Sequence, residues 1–358
     1  MHIHFNHHLG QSFSPLQERA IKEAFLHLYA FVGAKKSDHC IFTSSGAEGV
    51  NHAVFAAYLD ITRKNGKNHF LCSAMDEAPA IRAMSRLQEA GCVFQMVTPD
   101  PEGRISKRAV AEMLTPRTAM LSISCASGLT GVLQPVSEIA ELCHERGVLF
   151  HVEATHVLGK GDFSFEDSGA DILTFNGMPQ GTGGLFFREN SEISPLILGG
   201  SEQGGMRGGS FSFSGLVELA KWAKEESAHK DHYGMEIARL KALFEELIIL
   251  HVPSAKILFQ HVPRASHITS FLFPEASSDS LCYLLSQKGV HATFGGNEFQ
   301  HFSHVLKACG VPEPDCHCAL SFGFSPHTTE EEIVKAVERI SEAVLQLQRC
   351  SKGVFHEL

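Results

Sequence analysis

Between residues 39 and 187, short apolar runs alternate repeatedly with stretches of helical periodicity. The runs at 39–43, 69–73, 92–97, 119–124, 148–153 and 171–175 are too short for helices. They are also too uniformly apolar for strands with one wet face. A chain built this way has few choices: a mostly parallel sheet with helices on both faces, and a ligand crevice at the carboxyl ends of the strands. Two neighbouring runs carry the most information. The first reads His151-Val152-Glu153-Ala154-Thr155-His156. The second, Asp171-Ile172-Leu173-Thr174-Phe175, continues into Asn176-Gly177-Met178-Pro179-Gln180-Gly181 and then a Gly-Gly-Leu-Phe-Phe strand. An acid closes the first run and a Gly-rich turn follows the second, so polar groups collect where a ligand would sit.

Length and charge narrow the possibilities. The 358 residues exceed one ordinary domain and suit a large domain with a smaller one. We place a large domain at 12–250, a small one at 251–358 and an N-terminal arm at 1–11, with the boundary near residue 251. A net charge of −10 without any Lys/Arg block argues against nucleic acid or an anionic membrane as partner. No apolar run approaches the ~20 residues that span a bilayer. The first residues lack the charged start and apolar middle of a signal peptide, so a cytoplasmic address is expected. The ten cysteines are scattered, mostly inside apolar runs, where a thiol acts as a small hydrophobe.

Local signals place further elements. Ser14-Pro15-Leu16-Gln17 is a capping box with proline at the first helical position, opening a helix over 15–31. Ser44-Ser45-Gly46-Ala47-Glu48-Gly49 turns from strand into a helix over 48–63. Such a turn offers free N–H groups and a positive dipole end to a phosphate, and it serves equally as an ordinary helix cap. Beyond the Gly-rich stretch 199–209 and a long helical stretch over 214–250, the pattern predicts strands at 268–273, 290–293 and 318–322. Helices are expected at 279–288, 304–309 and 328–348. Alternation in Asp315-Cys316-His317-Cys318-Ala319-Leu320 reads as a strand, with both cysteines on one face. No paired C-x-x-C unit is present, and no metal site is expected.

From Phe42 to Ile333 the chain resembles the class V aminotransferases, specifically the cysteine desulfurases. Phe42-Thr43-Ser44-Ser45-Gly46-Ala47-Glu48-Gly49-Val50-Asn51 is similar to the family's F-T-S-G-A-T-E-x-N-N phosphate turn. Glu77-Ala78-Pro79-Ala80 resembles E-H-P-A, and Ser127-Gly128-Leu129-Thr130-Gly131-Val132-Leu133-Gln134-Pro135 resembles N-N-E-T-G-x-x-Q-P. His151 to His156 with Gly159-Lys160 resembles H-x-D-A-x-Q…G-K. Gly199-Gly200-Ser201-Glu202-Gln203 with Arg207-Gly208-Gly209-Ser210 resembles G-G-x-Q-E…R-S-G-T. The resemblance implies the pyridoxal-phosphate-dependent transferase fold (fold type I, α/β) and a homodimer whose 199–210 loop reaches the partner's phosphate site. It also implies pyridoxal phosphate as the cofactor, held by Ser45, Gly46, Ala47, Glu153, His156, Asn176, Arg207 and Ser210.

The departures fall where chemistry is done. At the family's cofactor-linking lysine stand Met178 and Pro179, neither with an amine, which argues against covalent attachment. Glu298 occupies the catalytic cysteine's place, and Ala319 that of the arginine that clamps the substrate carboxylate. The ring-stacking histidine is Ala78, the ring-facing asparagine is Gly128, and the ring-binding glutamine is His156. No catalytic residue is therefore assigned. The expected function is that of a desulfurase-like binding or regulatory protein, with an active paralogue or sulfur-transfer machinery as partner. The alternatives are an active pyridoxal phosphate desulfurase or lyase with rearranged groups, and a non-covalent binder of a small anion or cofactor. Lys160 is a possible substitute amine. His151 and Glu153 share a strand face, as an acid/base couple or as a structural hydrogen-bond pair.

Overall fold

The computed structural model describes residues 13–178, 180–191, 193–296 and 300–355. A seven-stranded sheet is built from β1 (His39–Thr43), β2 (His69–Ser73), β3 (Val93–Val97), β4 (Thr118–Ser124), β5 (Leu149–Glu153), β6 (Ile172–Asn176) and β7 (Gly183–Phe187). Its strand order is β1-β7-β6-β5-β4-β2-β3, and β7 alone runs against the rest. The fold is the mixed α/β architecture that the alternating pattern predicts, with β5 and β6 adjacent and parallel.

The period of two along each strand sorts side chains onto two faces. Phe42, Leu71, Leu121, Ile123, Phe150, Val152, Leu173 and Phe186 join one apolar cluster with the helices Pro15–Val32, Val136–Glu145 and Phe213–Ala228. Ile41, Phe70, Cys72, Met120, Ile172, Leu185 and Phe187 join another under the helices Gly46–Ala57 and Ala78–Arg86. Each fully buried Phe or Leu contributes about 1.5–3 kcal/mol, so the two-sided burial of β2, β4 and β7 holds the strand ends rigidly. Ser14 caps the first helix through the expected reciprocal box with Gln17.

A second sheet, β10-β9-β8, comprises β8 (Lys256–Ile257), β9 (Ile268–Leu272) and β10 (Ala319–Gly323). It carries its own cluster around Phe244, Phe271, Phe322 and Ile340, the last from the helix Glu330–Phe355. Two sequence expectations fail here. The run 290–293 forms no strand; after Gly289 ends the helix Ser278–Gln287 it makes a single bridge, Thr293 to Ser321. Cys316 and Cys318 do not share a strand face, because Glu313–Cys316 is a helical turn between Pro312 and the start of β10. Proline favours a helix start and withholds a ladder donor. The two thiols instead approach the carbonyls of Val311 and Pro314. The helix expected from residue 48 begins at Gly46 and passes through a π turn at Tyr58–Thr62. Among the described residues, no helix is long and apolar enough to cross a membrane.

Candidate functional site

The carboxyl ends of β2, β4, β5 and β6 and the turn after β1 enclose a cavity of about 320 Å³. Ser45, Gly46, Ala47, Glu153, His156 and Asn176 all line it. Arg207 and Ser210 do not: Arg207 lies behind the turn, and Ser210 is exposed on its loop.

At one end stands Glu153. Its Oε1 accepts from the Thr155 N–H at 3.2 Å and from the Thr155 hydroxyl. Its Oε2 is buried with no hydrogen-bond partner among the described residues. Burial, and then the charge of Glu77, push this carboxyl up to about 7, against the opposing pull of His156 and Thr155. His151 does not form a couple with it. The His151 ring is held by two hydroxyls on flanking strands, Ser122 Oγ at Nδ1 and Thr174 Oγ1 at Nε2, each at 2.8 Å. Burial lowers its pKa to about 3, so this neutral ring ties β4, β5 and β6 together.

His156 turns to Glu77, with Nε2 3.0 Å from Oε1. That bond and the charge of His156 outweigh burial and hold Glu77 below the usual carboxylate range. Glu77 was quoted in the sequence only as part of a motif; its partner lies 79 residues away. The glycine at 128 has a physical reason. A Cβ there would run into His156 Nε2, so the His156 ring can hold this place only beside a glycine. Asp76 is a further polar anchor that the sequence did not single out. It accepts from the N–H groups of Ser124 (2.5 Å) and Ser73 (2.9 Å), and burial pushes it up to about 7.

The other end is the turn 44–48. Ser45 Oγ caps the helix by accepting from the Glu48 N–H at 3.2 Å. The Gly46 N–H donates to Asn176 Oδ1 at 3.0 Å, and the Ser44 N–H to Glu48 Oε2 at 2.8 Å. Arg207 Nε donates to Glu48 Oε1 at 2.9 Å. Although burial alone pushes Glu48 up, Arg207 and Ser44 bring it below its usual range. Gly183 on β7 permits this packing, since a Cβ there would meet the Ser45 carbonyl carbon at 2.5 Å. Gln203, at positive φ, bonds both backbone groups of Phe42 and closes the outer edge of β1.

The remaining sequence candidates lie elsewhere. Met178 is 54% exposed beyond β6; Pro179 and Glu298 fall outside the described residues. Ala319 is fully buried at the start of β10, its N–H donating to Ser278 Oγ. Lys160 lines a different cavity; its amine reaches the Thr155 carbonyl at 3.4 Å and Glu226 at 3.9 Å. Burial holds that amine below its ordinary range. A larger cleft of about 830 Å³ adjoins the site through Glu77 and His156. Its walls are mainly apolar and include Ile81, Phe94, Met96 and Leu129, together with His304 and Lys307.

The family model described as aminotransferase class-V matches residues 5–335. A cysteine desulfurase of Nostoc sp. (strain PCC 7120) is 28% identical over 340 residues, 93% of this chain and 84% of that protein. One from Cereibacter sphaeroides is 29% identical over 351 residues, 96% and 88% of the two chains. Among solved structures, a NifS-like protein superposes with a TM-score of 0.84 at 22% identity, covering 94% of this chain and 91% of its own. DndA from Streptomyces lividans does so at 0.75 and 24% identity, over 88% and 92%.

Proposed function

The chain belongs to the class V aminotransferase family, and from that premise we propose that it keeps the family's cleft without its lysine-linked pyridoxal phosphate chemistry. One observation carries the reading: among the described residues, no lysine or arginine lines the cavity at the strand ends. A nucleophilic amine must touch the group it captures, and the nearest sequence substitute, Lys160, is committed to Thr155 and Glu226. The position expected for a carboxylate-clamping arginine holds Ala319, inside the core.

Pyridoxal phosphate itself fits half of the cavity. The orphaned Glu153 Oε2 suits a protonated ring nitrogen. Among the described residues the phosphate end supplies no unengaged cation, since Arg207 is paired with Glu48, and the Gly46 N–H is taken by Asn176. No reaction step is routed through this cofactor. The function proposed is that of a non-catalytic, desulfurase-like binding or regulatory protein, paired as a homodimer and serving an active paralogue or a sulfur-transfer protein. Ile197 and Leu198, 37% and 81% exposed beside the 199–210 loop, support a covering subunit there.

The test is direct. Protein mixed with pyridoxal phosphate is expected to give no protein-linked absorbance band, no borohydride-trapped adduct and no sulfide from cysteine. A trapped lysine together with sulfide release overturns the reading. Peptide mapping would then show whether Lys160, whose amine is held below its ordinary range, had taken the role. A monomer by light scattering would remove the homodimer.

A further inference from the structure

We propose that the cavity bounded by Glu153, Glu77 and the turn 44–48 takes a small unphosphorylated organic cation, an amine or protonated nitrogen heterocycle, and turns away phosphate esters. The proposal rests on the non-catalytic reading above and names the ligand class of the same site.

Charge is the first argument. Apart from the imidazoles, the ionisable groups lining the cavity are two carboxylates, Glu77 and Glu153. His156 is bonded to Glu77, and His151 is spent on Ser122 and Thr174. A phosphate ester would bring further negative charge against them, and among the described residues no guanidinium or ammonium lines the cavity to receive it. A cation entering the same space lowers that repulsion.

Satisfaction of hydrogen bonds is the second argument. Nearly all buried polar atoms in folded proteins find a partner, and an orphan of this kind costs about 1–3 kcal/mol. Glu153 Oε2 is such an orphan, on a residue that lines the cavity. An N–H donor from a ligand completes it, and a cationic donor does so with charge assistance. The acceptor is fixed in place, because Thr155 holds the other carboxylate oxygen with two bonds.

The third argument is that, at the opposite end, much of the turn is engaged within the chain. Asn176 packs on Gly46 so closely that a Cβ at 46 would meet the Asn176 backbone N and its own Cβ, each at 3.0 Å. Its amide oxygen occupies the Gly46 N–H, Ser45 Oγ occupies the Glu48 N–H, and Glu48 occupies the Ser44 N–H. The side chain at 47 is a methyl group. Three backbone donors of this turn, on Ser44, Gly46 and Glu48, are thus engaged by the chain's own acceptors. At about 320 Å³ the space lies at the small end of ligand cavities, consistent with a compact ligand lacking a phosphate arm.

Pyridoxamine and pyridoxamine 5′-phosphate are a matched pair of probes. They differ in the phosphate, and neither carries an aldehyde that could bond to a lysine. Calorimetric titration of the full chain at pH 8 is expected to show pyridoxamine binding at least tenfold more tightly than its phosphate ester. Glu153→Gln, which keeps an acceptor for Thr155 but removes the charge, should weaken pyridoxamine at least tenfold while circular dichroism shows the fold retained. Equal or tighter binding of the ester overturns the proposal. So does a lack of pyridoxamine binding at millimolar concentration, or an unchanged affinity in Glu153→Gln. A borohydride-trapped lysine adduct with pyridoxal phosphate would instead defeat the non-catalytic reading, and the amine pair is read independently of that result.

Discussion

The two ends of the cavity are built from the same kinds of groups and have opposite hydrogen-bond balances. At the turn 44–48, Ser44, Gly46, Glu48, Asn176 and Arg207 satisfy one another. At the inner end, Glu153 is half satisfied by Thr155 and left with an orphaned oxygen. A closed set of partners needs no ligand and adds stability; an orphaned buried acid costs stability and awaits a donor. The difference separates the part of the cavity wall whose polar groups pair with one another from the part that keeps an unpaired oxygen.

The largest expected effect sharpens this contrast at Glu153. Its carboxyl sits at about 7 against an ordinary 4.5. The native state therefore favours the protonated form, and the stabilising influence present below pH 4.5 is lost as pH rises through 7. Glu153→Gln cannot ionise. At about 1.4 kcal/mol per unit, it should be more stable than the parent by as much as about 3 kcal/mol at pH 8. The gain should vanish near pH 4, as read by urea unfolding at both values. A destabilised variant at pH 8 would show that Oε2 has a partner after all. With the expected loss of ligand, this residue would trade stability for binding.

At the closed end the sign reverses. Arg207→Ala leaves Glu48 without its guanidinium and should cost about 2 kcal/mol, between the values of exposed and buried pairs. Glu48 lies below its usual range in the folded protein, so this cost belongs to pH above 4.5 and disappears on acidification. An acid-independent loss would mean that Arg207 acts by packing alone.

The smallest effect links the two ends to the Glu77–His156 pair. Gly128→Ala forces the His156 ring from its place and should cost about 1–2 kcal/mol. In a His156→Ala background the penalty should be largely gone. A double-mutant cycle with no coupling energy would refute the steric link.

Much of the frame was legible beforehand. The short, uniformly apolar runs predicted β5 beside β6, and the Ser14 capping box predicted its helix, because both depend on residues close in the chain. The second unit was read less well. A two-residue strand at 256–257 leaves almost no periodic signal, and the prolines at 312 and 314 turned an alternating stretch into a helical turn. The eight cofactor-site candidates were gathered from ordered fragments; six line one cavity and two do not.

The amino-acid sequence by itself determined the layered α/β fold and the absence of an amine at residues 178 and 179. Periodicity and residue type are properties of short stretches, and a missing functional group is missing in any conformation. Only the tertiary structure decided which polar groups are spent. Gly46 meets Asn176 across 130 positions, Glu48 meets Arg207 across 159, and Glu77 meets His156 across 79. Those pairings depend on where the strand ends converge. Their outcome among the described residues, one oxygen of Glu153 left unpaired beside a cavity that no lysine or arginine lines, is written in no local pattern.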